Sequence, residues 1–73
     1  VVQEQIDIKV LLEQALAQLP ENQRSIVLLR DYEGYAYKEI AEILKMSETQ
    51  VKVYLFRARK KLKQYLGSIQ HII

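Results

Sequence analysis

The stretch from Tyr37 to Leu62 constrains this chain more than any other. It reads as a short helix, a three-residue turn and a longer helix with one apolar and one basic face. Apolar residues stand at Ile40, Leu44, Met46, Val51 and Tyr54, with Ala41 between the first two. That order suits two helices crossing closely, because a side chain as small as Ala41 lets the backbones approach. The second helix then turns Lys52, Arg57 and Lys60 away from the core. Two helices joined in this way make a helix-turn-helix, the arrangement that lays its second helix in a DNA major groove.

The rest of the composition fits a small helical domain. Seventy-three residues are near the size at which one core just suffices. There is no cysteine, so neither a disulfide nor a thiolate metal site can staple the chain, and the 49% of hydrophobic residues must hold it by packing. Two Gly, one Pro and no strand-like alternation predict an all-α fold. The longest aliphatic run, Ile26 to Leu29, is far too short to cross a bilayer, so no membrane insertion is expected. No signal peptide is visible and the first residue is not Met. The expectation is a single domain over residues 1–73, cut from a longer cytoplasmic protein, with its helix-turn-helix at about 37–56.

Charge is divided along the chain. Residues 1–44 carry four Lys/Arg against eight Asp/Glu, whereas residues 45–73 carry seven Lys/Arg against one Glu. A basic C-terminal third suits phosphates, and the acidic remainder suits some other surface. A solvated basic helix without a partner would show the same split, so charge taken alone favours nucleic acid over it by a small margin.

Four helices are predicted, at about 4–18, 20–31, 37–44 and 48–66, and the fold class expected is an all-α, four-helix, winged-helix-like domain. In the first, Ile8, Leu11, Leu12, Ala15, Leu16 and Leu19 recur at helical spacing. Pro20 stops it and can open the second, where a missing N–H is harmless. The second helix is expected to bury Ile26, Leu29 and either Tyr32 or Val27, and Gly34 permits the left-handed turn that ends it. Ser47 and Gln50 form a Ser-x-x-Gln capping box at the start of the fourth, and Gly67 is expected to break it. At about 100° per residue, Val51, Tyr54, Leu55, Ala58, Leu62, Tyr65 and Leu66 share one stripe of that helix. Thr49, Lys52, Val53, Phe56, Arg57, Lys60 and Gln64 fall outside it. The last residues, 68–73, are expected to be partly disordered or packed as a tail.

The outer face combines two chemistries. Lys52, Arg57 and Lys60 suit phosphate oxygens, and Arg57 also suits a guanine edge. Thr49, Gln50, Val53 and Phe56 lie near the helix N-terminus, where Gln50 matches an adenine edge and Val53 and Phe56 match thymine methyls. The N-terminal amides of the third and fourth helices add positive potential. An outward Phe56 fits a plain solvated face poorly, although it would also suit a protein partner. Enzyme chemistry finds little support. The single histidine, His71, has no nucleophile or carboxylate near it in sequence, and Glu39 and Glu42 fit capping and surface roles. A metal site would have to converge without cysteine, so no catalytic residue, metal or cofactor is expected.

These residues also carry a family resemblance. Leu19-Pro20-Glu21, Arg24 with its aliphatic run and Gly34 form a first block. Lys38-Glu39-Ile40-Ala41-Glu42-Ile43-Leu44 forms a second, and Val51-Lys52-x-x-Leu55-x-Arg57-Ala58-Arg59-x-x-Leu62 a third. Together they resemble region 4 of bacterial sigma-70 factors, most closely the extracytoplasmic-function (ECF) branch, over roughly Leu12 to Leu66. The resemblance implies promoter recognition in transcription initiation at the −35 element, with DNA contacts at Lys38, Ser47, Glu48, Thr49, Gln50, Lys52, Val53, Phe56, Arg57 and Lys60. It also implies core RNA polymerase as a partner through the β-subunit flap, and an anti-sigma factor. The acidic, apolar surface of the first two helices would face polymerase.

Six residues, at four places, depart from the family pattern. Thr49-Gln50 replaces a usual Gly-Thr, and Val53-Tyr54 a common Ser-Arg. Lys45 stands where Gly is frequent, with a left-handed backbone expected at a cost of about 1 kcal/mol. Ala36 replaces the Ser or Thr cap of the third helix, leaving Glu39 with half a capping box. Two other functions fit the pattern in part. A LuxR-type activator domain shares the four-helix plan and a similar Lys-Glu-Ile-Ala segment, but differs after its recognition helix. A protein-interaction module would use the basic helix on an acidic partner and bind no DNA.

Overall fold

The computed structural model describes residues 7–70, which form four α-helices with no strand among the described residues. Helix α1 spans Ile8–Ala17. Asp7 is extended and caps it, its carboxylate accepting the Lys9 amide at 3.0 Å. The helix therefore starts at Ile8; of the expected earlier start, residues 4–6 lie outside the described residues. Only Ala15 is buried within α1, while Ile8 and Leu12 face outward despite their helical spacing. Leu19, in the turn that follows, enters the core.

Helix α2 spans Glu21–Val27, with Pro20 just outside it at the N-cap. The expected single helix over 20–31 is in fact two segments, because a π-helical turn over Leu28–Tyr32 continues α2. Its wider spacing shows in the Glu33 amide, which donates to the Leu28 carbonyl at 3.0 Å. A π turn advances fewer degrees per residue than an α turn, so side chains beyond it are rotated off the α-helical stripe. Val27, ahead of the turn, holds the core position, and Tyr32, at its end, is 57% exposed. Gly34 then takes φ +80°, and a Cβ there would meet nothing within 4 Å, so its requirement is one of backbone alone.

Helix α3 spans Tyr37–Leu44, as expected. Ala36 is extended at its N-cap and offers no side-chain bond, while the Glu39 carboxylate accepts the Ala36 amide at 2.8 Å: half a box. Lys45 adopts φ 57° and ends the helix, and the Met46 amide reaches back to the Ala41 carbonyl at 3.0 Å. Helix α4 spans Glu48–Gln70, beginning on the full box. The Gln50 amide donates to Ser47 Oγ at 3.0 Å, and the Ser47 amide donates to Gln50 Oε1 at 2.9 Å.

Gly67 does not break α4, which runs three residues further. Glycine weakens a helix interior by only about 0.5–1 kcal/mol relative to alanine, and with no Pro behind it the hydrogen-bond ladder continues. Residues 68–70 are therefore helical instead of a tail; residues 71–73, His71 among them, lie outside the described residues.

The core lies along α4. Val51, Leu55 and Ala58 meet Ile26 and Val27 of α2 and Ile40 and Ala41 of α3, with Leu19 closing one end. Tyr54, Leu62, Tyr65 and Leu66 are half-buried on the same stripe, as the wheel predicts. Ala41 is the small residue at the helix crossing, and it is buried.

Candidate nucleic-acid interface

The outward side of α4 is built by the same periodicity that fills the core. Val51, Leu55 and Ala58 fix the helix rotation, so Thr49, Lys52, Val53, Phe56, Arg57 and Lys60 all face solvent. Phe56 is 69% exposed, the most exposed large apolar side chain among the described residues. Lys38 reaches the same region from α3: it lines a shallow cleft at the turn with Glu42, Lys45, Ser47, Glu48 and Gln50. All ten sequence-predicted contact residues are thus exposed, on α4 or beside its start.

Two of them have a second occupation. Ser47 Oγ and Gln50 Oε1 accept each other's backbone amides. Reading an adenine edge takes both the oxygen and the nitrogen of a Gln amide, and in Gln50 one of the oxygen's two lone pairs already serves the Ser47 amide. Gln50 can offer a base its NH2 and its remaining lone pair only in an orientation that keeps this cap. Glu48 and Glu42 add negative charge at this end of α4, so phosphate attraction rests on Lys38, Lys52, Arg57 and Lys60.

Beside these residues the structure places others that the sequence pattern did not single out for binding, Tyr37, Arg59 and Lys63 among them. Behind Phe56 lies a hollow lined by Tyr37, Lys52, Leu55, Arg59, Lys60 and Lys63, apolar at its floor and cationic at its rim. The Tyr37 ring carries the Arg30 guanidinium carbon 4.3 Å from its centroid and the Lys52 ammonium at 5.5 Å. Arg30 is fixed further by its Nη1, which donates to the Tyr35 carbonyl at 2.8 Å.

Arg59 is tied to the π turn. Its Nε donates to Asp31 Oδ2 at 3.1 Å and its Nη2 donates to Asp31 Oδ1, a two-pronged pair across 28 residues. That hydrogen bonding raises the Arg59 guanidinium above its ordinary range, against a smaller opposing effect of desolvation. Among the described residues this is the single ion pair, and no group of three or more metal-ligating side chains occurs. No described helix is long and apolar enough to cross a membrane.

A separate apolar groove runs between α1 and the π turn. Ile8, Leu12, Leu16, Leu28 and Tyr32 line it, with Lys9 and Glu13 at its edge.

Comparison with known proteins identifies the family. The family model "Sigma-70, region 4" matches residues 9–62. The chain is 39% identical over 59 residues to the ECF RNA polymerase sigma factor SigM of Bacillus subtilis, covering 81% of this chain and 36% of the relative. It is 42% identical over 53 residues to the RNA polymerase sigma factor YlaC of the same organism, covering 73% and 31%. It is 33% identical over 60 residues to the RNA polymerase sigma-H factor of Pseudomonas aeruginosa, covering 82% and 31%. The chain spans about a third of the length of these curated relatives.

Proposed function

Because the chain belongs to the sigma-70 region 4 family, in its ECF branch, we propose that it is the promoter-recognition module of a longer sigma factor. In this reading α4 lies in the major groove of the −35 element during transcription initiation, and no chemical step is catalysed by this chain. The observation that carries it is the exposed face of α4, where cations and apolar groups stand together on a helix locked by its capping box and its buried stripe. Lys38, Lys52, Arg57 and Lys60 meet phosphates, while Thr49, Val53 and Phe56 lie nearest the base edges, with Ser47, Glu48 and Gln50 shaping the helix entry.

The groove of Ile8, Leu12, Leu16, Leu28 and Tyr32 supports a second contact, with core RNA polymerase through the β flap. It lies on α1 and the π turn, so both engagements can be made at once. An anti-sigma factor would compete for these surfaces in a cytoplasmic setting. The LuxR-type and DNA-free readings are not favoured, since the sigma match runs through all four helices.

The test separates the two parts of the α4 face. Lys60→Ala weakens binding to all sequences alike and flattens the salt slope by about one unit, as a lost phosphate contact does. Val53→Ala relaxes preference at one or two base pairs, with about 1–3 kcal/mol of discrimination lost. The difference follows from position, since Lys60 is roughly 10 Å further along the helix than Val53 at 1.5 Å per residue. Val53 is preferred to Gln50 for this purpose because replacing Gln50 also removes a cap. A promoter-library selection in which Lys60→Ala reshapes the preferred sequence and Val53→Ala leaves it intact would reverse the docking orientation.

A further inference from the structure

Tyr37 opens α3 half-buried against the edge of the core, and its ring gathers side chains from two other elements. Arg30 comes from the π turn and Lys52 from the second turn of α4, at 4.3 and 5.5 Å from the ring centroid. Neither has a carboxylate partner among the described residues, where Asp31 is taken by Arg59. Two like charges on one ring repel each other, and the attraction of the ring for each cation offsets that only in part. An anion beside them relieves the repulsion. The hollow next to Tyr37, rimmed by Lys52, Lys60 and Lys63, opens on the same side as the exposed Phe56.

We propose that Tyr37 is a positioning residue of the DNA-binding surface, holding Arg30 and Lys52 on its ring so that both are presented together to one stretch of phosphate backbone. This rests on the promoter-binding reading above. Lys52 alone would sample many rotamers and lose that freedom on binding, and the ring removes part of the loss beforehand. Arg30 is pinned at both ends of its guanidinium, by the ring and by the Tyr35 carbonyl. It thereby joins the contact set from outside the helix-turn-helix.

The test uses Tyr37→Leu, which keeps an apolar side chain without a π face, and Tyr37→Phe, which keeps the ring without the hydroxyl. Binding to a promoter duplex is followed by fluorescence anisotropy across a salt series, and the Lys52 ε-methylene protons are followed by NMR in the free chain. In the native chain those protons are shifted upfield by the ring current, and Tyr37→Leu abolishes the shift. Tyr37→Leu weakens binding about two- to fivefold, the range of one exposed cation–π contact, and Tyr37→Phe restores it. Lys52→Ala weakens the native chain more than it weakens Tyr37→Leu, whereas Arg57→Ala, remote from the ring, acts equally in both.

Should Tyr37→Leu lose helical content, Arg30→Gln asks the same question from the other cation and lowers the salt slope by about one unit. Equal binding by Tyr37→Leu and the native chain, equal losses for the Leu and Phe variants, or an unchanged Lys52 shift in Tyr37→Leu would each overturn the inference while leaving promoter binding in place. A native chain that shows the shift but binds no DNA would instead sink the promoter reading, and this role with it.

Discussion

Helices α1 and α4 carry apolar stripes of the same periodicity and use them differently. In α4 the stripe is closed by α2 and α3, with Val51, Leu55 and Ala58 each at most 2% exposed. In α1 only Ala15 is buried, and Ile8, Val10 and Leu12 remain 64%, 44% and 36% exposed. Periodicity therefore tells which residues share a face, and only the neighbouring elements decide whether that face is covered. One helix is held in place by the core and presents its opposite side; the other presents the apolar side itself.

Removing the same side chain from each helix gives the largest test of this contrast. Leu55→Ala should destabilise the chain by about 2–5 kcal/mol, as for a well-packed core leucine. Leu12→Ala should cost clearly less, at or below the low end of that range, because Leu12 is 36% exposed and stands outside the buried core. Urea denaturation of both variants reads the difference, and comparable losses would mean that the α1 face is covered in solution.

A smaller effect is expected at the two helix entrances of the helix-turn-helix. Ser47→Ala should remove about 0.5–2 kcal/mol by unmaking the full capping box, whereas Ala36→Ser should add a comparable amount by completing the half box at α3. Thermal melting distinguishes the signs. A loss of stability in Ala36→Ser would show that the hydroxyl has no amide to receive.

The smallest effect is at the tie between α4 and the π turn. Asp31→Asn should cost no more than about 1 kcal/mol, since the Asp31 and Arg59 side chains are 34% and 52% exposed and water screens them. The cost should shrink further as salt is added. An effect as large as that of Leu55→Ala would make the pair a principal fastening of α4.

Much of this was legible in the sequence because it is local. Pro20, Gly34, Lys45 and the Ser47–Gln50 box each act within a few residues, and each stands where the pattern placed it or one position away. The stripe of α4 follows from helical geometry alone, and it sets outward the eight candidate contacts that lie on that helix. What the sequence did not disclose depends on packing. Asp31 and Arg59 meet across 28 residues, and no periodicity links Arg30, Tyr37 and Lys52. Val27, ahead of the π turn, is in and Tyr32, at its end, is out, a choice that the apolar pattern left open. Gly67 resembles a stop in the sequence, but a glycine ends a helix only where the chain turns left-handed, as it does at Gly34.

Gly34 has one more consequence, which concerns chirality. Its φ of +80° strains ordinary side chains, yet a Cβ built there has nothing within 4 Å to strike. The position refuses L-amino acids by their hand and not by their bulk. A mirror-image residue has its favoured backbone angles in this region, so the backbone that strains L-alanine is a relaxed one for D-alanine. A chain of 73 residues is short enough to assemble by chemical ligation, which makes the D-alanine variant obtainable. It should melt higher than the native chain, because its unfolded form has fewer conformations to lose. The L-alanine variant should melt lower, and that opposite pair would isolate stereochemistry as the reason for glycine at this corner.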